Sequence, residues 1–184
     1  MLDSSPIAFR SLAPADLPLL HRWLNTPHVL EWWDTPGPSL GQVREEYFPC
    51  IEGREPTHCY LILYDDSPIG LIQTYLIRDH PEYSRHVQVE EAAAGLDLFI
   101  GDLAYIHRGL GAVILRCFLR DVVFARPDVE SCVIGPAVTN RAAIRTYEKA
   151  GFTYLKTVQI PDEEEPEYLM RIAREDLLTT SPGD

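Results

Sequence analysis

The stretch Gly95-Leu96-Asp97-Leu98-Phe99-Ile100, followed by Tyr105-Ile106-His107-Arg108-Gly109-Leu110-Gly111, holds the residues best suited to chemistry in this chain. It reads as an apolar strand, a glycine-bearing turn and the start of a long helix. Such a turn points several backbone N–H groups at one place, and the helix dipole adds partial positive charge there. Glycines let the backbone come close to a ligand, so the chemistry that fits is the gripping of a pyrophosphate. Gly-x-Gly equally fits a helix simply entered through glycines. A Rossmann site lacks its third glycine here, and a Walker A loop lacks its Gly-Lys-Ser/Thr. Asp97 stands at the start of the apolar strand, where a carboxylate needs a partner or a cleft.

These residues must be positioned by the elements around them. Ile7 to Leu12 reads as a strand. Pro14 opens a helix whose buried face is Leu17, Leu20 and Leu24. Ser39 and Gln42 make a capping-box pattern for a second helix, from Leu40 towards Ile51. His58 to Tyr64 and Ile69 to Ile77 form a hairpin about Asp65-Asp66-Ser67-Pro68. Residues 80 to 94 are polar and irregular and read as a loop with some extended structure. Leu96 to Ile100 is a strand, Gly109 to Phe124 a helix and Ser131 to Ile134 a strand. Asn140 to Ala150 is a helix ended by Gly151. Tyr154 to Ile160 and Tyr168 to Ile172 are the last strands, joined by an acidic segment that contains Asp162 and Glu163 to Glu165. The order predicts one α/β (α+β) domain over 1–184, with its core at about 7–173 and helices on both faces of a mixed sheet.

Composition narrows the partners. The net charge of −12 argues against nucleic acid and anionic membranes and favours a cationic partner, or a merely solvated acidic surface. Cys50, Cys59, Cys117 and Cys132 match neither a zinc site nor a disulfide framework, and the six histidines are scattered, so no metal is expected. Neither a membrane span nor a secretory signal is read, and a cytoplasmic protein, monomeric or homodimeric, is expected.

The downstream run Asn140-Arg141-Ala142-Ala143-Ile144-Arg145-Thr146-Tyr147-Glu148-Lys149-Ala150-Gly151-Phe152 gives the glycine turn a context. Together the two segments resemble the pyrophosphate loop and second CoA-binding motif of the GNAT acetyltransferase superfamily, in the right order. That resemblance implies a GNAT fold with a mostly antiparallel central sheet, and acetyl-CoA as co-substrate. Its CoA contacts carry over to Leu98, Phe99, Ile100, Ile106, His107, Arg108, Gly109, Leu110, Gly111, Asn140 and Ala143. Ile106 departs from the Arg or Gln usual there, and Arg108 is the neighbouring cation.

The segments His28-Val29-Leu30-Glu31-Trp32-Trp33, Gln73-Thr74-Tyr75 and Gly95-Leu96-Asp97 narrow the likeness to the aminoglycoside 6′-N-acetyltransferases, enzymes of antibiotic resistance. The resemblance implies that Asp97 lies beside the accepting amine. The resemblance places Glu90, Glu91, Asp97, Asp162 and the Glu163 to Glu165 run in substrate loops, where carboxylates bind ammonium groups, and Trp32 and Trp33 are the candidates for an aromatic wall against the sugar rings. Trp32 and Trp33 fit a core equally well, and Glu163 to Glu165 fit a solvated hairpin tip. The family often carries an acid before the proline of the loop preceding the asparagine helix; here the pair is Gly135-Pro136.

The expected reaction is direct attack of the amine on the thioester. Asp97 orients the amine and takes up its charge, and Tyr147 is the acid for the thiolate. Two other acceptors remain open, a siderophore hydroxylysine and a protein N-terminus. A non-catalytic acyl-CoA-binding module would need neither Asp97 nor Tyr147.

Overall fold

The computed structural model describes residues 6–33, 37–161 and 163–179. The chain divides into two compact units, Met1–Gln73 with Leu98–Leu110, and Thr74–Asp97 with Gly111–Asp184.

In the first unit, β1 (Ile7–Ser11) pairs antiparallel with β2 (His58–Tyr64), from Ile7↔Tyr64 to Ser11↔Tyr60. Between them lie α1 (Leu17–Leu24), α2 (Pro27–Leu30) and α3 (Leu40–Ile51). Pro14 starts a short 3-10 turn rather than the α-helix itself, and α1 follows from Leu17. Its buried residues Leu17, Leu20, Trp23 and Leu24 recur at helical spacing and pack with Val43, Tyr47, Leu61 and Leu71. The capping box opens α3: Gln42 N donates to Ser39 Oγ at 3.2 Å, and Ser39 N donates to Gln42 Oε1 at 2.8 Å. Asp65 and Asp66, both left-handed at φ 46° and 60°, turn β2 into β3 (Ser67–Leu76). That is the two-residue turn whose twist matches a hairpin.

The second unit contains α4 (Pro81–Val87), the first part of β4 (Ala93–Ile100), most of α5 (Leu110–Phe118), β5 (Ser131–Ile134), α6 (Arg141–Ala150), β6 (Thr153–Val158), β7 (Glu167–Ala173) and α7 (Arg174–Thr179). Its core gathers Ile77, Val87, Ala93, Val133 and Leu169. β4 pairs parallel with β5, β5 antiparallel with β7, and β6 antiparallel with β7. The seven-stranded sheet runs β1-β2-β3-β4-β5-β7-β6, mostly antiparallel, as the GNAT resemblance implies. Among the described residues no helix is long and apolar enough to cross a membrane.

Two expectations are corrected. Residues 80–94 are not simply a loop: Pro81 at the first helical position starts α4, and left-handed Gln88 (φ 50°) ends it. The helix expected through Phe124 leaves α-geometry after Phe118. Leu119–Val123 forms a π-turn, closed by Phe124 N donating to Leu119 O at 2.8 Å.

Candidate active site

The parallel ladder between β4 and β5 has three registered pairs, Ala93↔Ser131, Ala94↔Cys132 and Gly95↔Val133. β4 continues beyond it, and Asp97, half-buried, is the second residue past the last pair. The neighbours of Asp97 come from far along the chain. Tyr75 on β3 lays its ring across Gly95: a Cβ at that glycine would stand 2.3 Å from Tyr75 Cε2. Only glycine permits this approach. Thr74 Oγ1 donates to Gly95 O at 2.9 Å and fixes the same crossing. The Tyr75 ring meets His80 at 4.6 Å and Tyr83 of α4 at 6.3 Å, both edge-on. Tyr83 in turn donates its hydroxyl to Glu167 Oε2 at 3.0 Å.

Tyr147 comes from α6. Asn140 caps that helix, its Oδ1 accepting from Ala143 N at 3.0 Å, and left-handed Gly151 (φ 106°) ends it. Burial holds the Tyr147 phenol well above its ordinary pKa, and the negative charge of Asp97 raises it further. Burial and then Asp97 do the same to Tyr75 and to the fully buried Cys132 thiol of β5. For Tyr83, burial comes first, then Glu167, then Asp97. Asp97 is therefore within electrostatic reach of three phenols and one thiol, all of which keep their protons at neutral pH. In such a group the carboxylate can accept from a cationic amine while the phenols supply a proton donor.

The glycine turn divides its work. His107 and Gly109 are both left-handed, at φ 57° and 75°. Such residues turn neighbouring N–H groups into a concave, anion-binding nest. A Cβ at Gly109 would meet nothing within 4 Å, so this glycine serves conformation alone. Gly111 serves packing, because its Cβ would stand 2.7 Å from Thr146 Cγ2 of α6. Leu110 begins α5, whose first N–H groups have no partner within the helix. The segment thus has the backbone donors that a diphosphate needs. Ile106 is half-buried and adds no charge. Arg108 is exposed, reaching Ala104 O at 3.4 Å with its guanidinium 5.6 Å from the Tyr105 ring centroid.

The other sequence-derived candidates fall differently. Trp33 packs on the core of the first unit, its ring 4.8 Å from that of Phe99, whereas Trp32 is 45% exposed. In the strand end Leu98–Ile100, Ile100 O is 3.0 Å from His28 Nε2. Glu90 is exposed. Glu91 is a brace, bound by Arg171 Nε at 2.6 Å and Ser131 Oγ at 2.9 Å. Burial alone would raise its pKa; the hydrogen bonds from its own backbone, Arg171 and Ser131 outweigh that and leave it lowered. Asp162 lies outside the described residues, and in the same segment Glu165 accepts from the Thr139 hydroxyl. Asn140 uses its side-chain oxygen as a helix cap, which leaves the amide NH2 as the group able to donate to a ligand.

Sequence reasoning missed Tyr83, Cys132 and Glu167 and used Tyr75 only as part of a matching segment. The signal for Tyr83 was Pro81, a helix start inside an apparent loop. Glu167 differs from the preceding acids in following Pro166 and opening the apolar run of β7.

The chain is similar to known proteins. Residues 13–160 match the model of the acetyltransferase (GNAT) domain. An aminoglycoside N(6′)-acetyltransferase type 1 of Klebsiella pneumoniae is 30% identical over 162 residues, covering 87% of this chain and 80% of that protein. The crystal structure of aminoglycoside acetyltransferase AAC(6′)-Ib, in complex with coenzyme A and kanamycin, superposes with a TM-score of 0.80 at 29% identity over 95% of this chain and 98% of that one. A lysine N-acyltransferase, MbtK, of a Mycobacterium species is 25% identical, covering 83% of this chain and 62% of that protein. With a glycine turn before α5, an asparagine-capped α6 and a family match over most of its length, the chain belongs to the GNAT acetyltransferases.

Proposed function

We propose that this chain is an acetyl-CoA-dependent N-acetyltransferase acting on a primary amine of a small polycation, with the 6′-amine of an aminoglycoside as its acceptor. The observation that carries this reading is Asp97, a half-buried carboxylate two residues past the end of the β4–β5 ladder and two from the Gly95 that the Tyr75 ring crosses, with its charge felt by the phenols of Tyr75, Tyr83 and Tyr147. The likeness to the Klebsiella enzyme and to the kanamycin-bound structure supports it.

In this reading the nest at 106–111 holds the coenzyme's diphosphate. The amine nitrogen forms a bond to the thioester carbonyl carbon, and the carbon–sulfur bond breaks. Asp97 orients the amine and stabilises the positive charge that grows on it as it attacks. The amine's proton leaves to Asp97 or to water beside it. Tyr147, kept protonated by burial and by Asp97, donates its phenolic proton to the departing thiolate, and the proton taken from the amine restores the phenol by way of Asp97 or water. Holding both reactants in one geometry supplies much of the rate. Trp32, exposed and aromatic, is the residue of the tryptophan pair suited to stacking on a sugar ring.

The MbtK likeness favours a lysine-type amine as the second reading. Thiol release from acetyl-CoA by the purified protein separates them. Release with kanamycin, together with raised kanamycin tolerance of cells expressing the chain, supports the first. Release with lysine or hydroxylysine and none with any aminoglycoside supports the second. Coenzyme A binding without release to any amine would overturn both.

A further inference from the structure

We propose that Glu167 is a specificity-determining residue of this acceptor site: it binds a second ammonium group of the substrate, away from the amine that is acetylated, and Gly135 is bare so that the Glu167 carboxylate can lie there. This deepens the reading above and rests on it.

Gly135 follows directly on β5, and Glu167 is the first residue of β7. The two segments are zipped together. Ile134 registers with Met170, Tyr168 N donates to Pro136 O at 2.8 Å, Val138 N donates to Pro166 O at 3.0 Å, and Ala137 bridges Glu167. From this fixed start the Glu167 side chain turns back over Gly135. A Cβ at Gly135 would stand 2.4 Å from Glu167 Oε2, 2.9 Å from its Cδ and 2.9 Å from Leu169 Cδ2, so the carboxylate makes the tightest of the three approaches. Even alanine at 135 would displace the carboxylate. The Tyr83 hydroxyl then aims the group, donating to that same Oε2.

Asp97 and Glu167 both raise the pKa of Tyr75 and Tyr83, so the two carboxylates lie within electrostatic reach of the same pair of phenols. A substrate with one amine needs only the first carboxylate. A substrate with several ammonium groups on a ring skeleton can use both, through charge-assisted hydrogen bonds.

The test is steady-state kinetics with kanamycin and with a one-amine sugar, 6-amino-6-deoxyglucose. Acetyl-CoA affinity, measured by calorimetry on every variant, checks the fold. Glu167→Gln keeps the shape and removes the charge. It should raise KM for kanamycin about tenfold or more, the range for a hydrogen bond to a charged group. The kcat, the acetyl-CoA affinity and the kinetics with the one-amine sugar should stay within about twofold. Gly135→Ala should cause a similar loss by displacing Glu167. The double variant Gly135→Asp with Glu167→Val, which moves the acid to position 135, should recover most of the kanamycin KM. If Glu167→Gln binds acetyl-CoA normally and leaves the kanamycin KM unchanged, or raises KM equally for both acceptors, Glu167 is a brace for Tyr83 and the proposal fails while the reading of the site stands. If the unaltered protein acetylates no polyamine at all, the reading itself fails and the proposal falls with it.

Discussion

The turn at 106–111 and the wall around Asp97 are recruited in different ways. The turn takes six consecutive residues and works through its main chain; two left-handed residues and a helix start do the job, and one side chain there, at Gly111, must be absent for packing. The wall draws Tyr75 from β3, Tyr83 from α4, Cys132 from β5, Tyr147 from α6 and Glu167 from β7, and works through side chains. A contiguous backbone device tolerates many side chains, so its signature is a short pattern of glycines. A wall assembled from distant strands leaves no local pattern, because its spacing is set by sheet pairing.

Breaking the wall at Asp97 or Tyr147 should therefore cost turnover, breaking it at Glu167 should cost acceptor affinity, and breaking the turn should cost coenzyme binding or stability. Asp97→Asn should have the largest effect, a fall in kcat of about a thousandfold, within the range for charge stabilisation and proton transfer. Acetyl-CoA affinity should hold, as calorimetry would check. Tyr147→Phe should slow kcat about ten- to a hundredfold with little change in either KM; equal losses in kcat and coenzyme affinity would show that the ring only packs.

The two glycines of the turn sharpen the contrast. Gly111→Val drives a branched side chain into Thr146 and should lower stability by about 1–3 kcal/mol in thermal unfolding. Thr146→Ser, which lacks the offending methyl, should recover part of that. Gly109→Ala has open space and only left-handed strain of about 1 kcal/mol, so Thr146→Ser should not help it.

Alkaline pH tests the wall from another side. Tyr75, Tyr83 and Tyr147 have folded pKa values above the ordinary 10.0, with burial as the first cause. Their neutral forms favour the fold, so that contribution is complete below pH 10 and declines as pH rises towards the folded values. Denaturant midpoints should be flat from pH 8 to 10 and fall above that, and less steeply in Tyr147→Phe. The smallest effect is expected at Glu91→Gln, a loss of about 1 kcal/mol from a partly exposed brace with Arg171. The Glu91 pKa is lowered, so its contribution is present above the unfolded value near 4.5 and is lost as pH falls through the folded one. Turnover of kanamycin should not change; a raised KM there would return Glu91 to the substrate site.

Much of the fold was legible because local chemistry dictated it. The Ser39/Gln42 capping box, the Asp65-Asp66 turn and the Gly151 stop each depend on residues within one turn of each other. The central strand was legible as an apolar run, and Asp97 as the charge out of place in it. Reading failed where tertiary contacts decide. Residues 80–94 lack a long apolar period because α4 buries little beyond Val87, so a short helix looked like a loop. Trp33 could not be separated from Trp32 by type, although one seats on Phe99 and the other meets solvent. Glu91 and Glu167 are both acids near apolar strands. Only sheet register shows that the first meets Arg171 and Ser131 while the second lies over Gly135.

Cys132 has no solvent exposure and lies on the strand that flanks the β4 ladder. An alkylating reagent can reach its sulfur only when that strand opens, so the labelling rate of this one thiol, followed by mass spectrometry, is a clock for local unfolding. Ligands that bind only the closed form should slow the clock in proportion to their occupancy. Acceptor and coenzyme affinities can then be read from an inert variant such as Asp97→Asn, with no turnover at all.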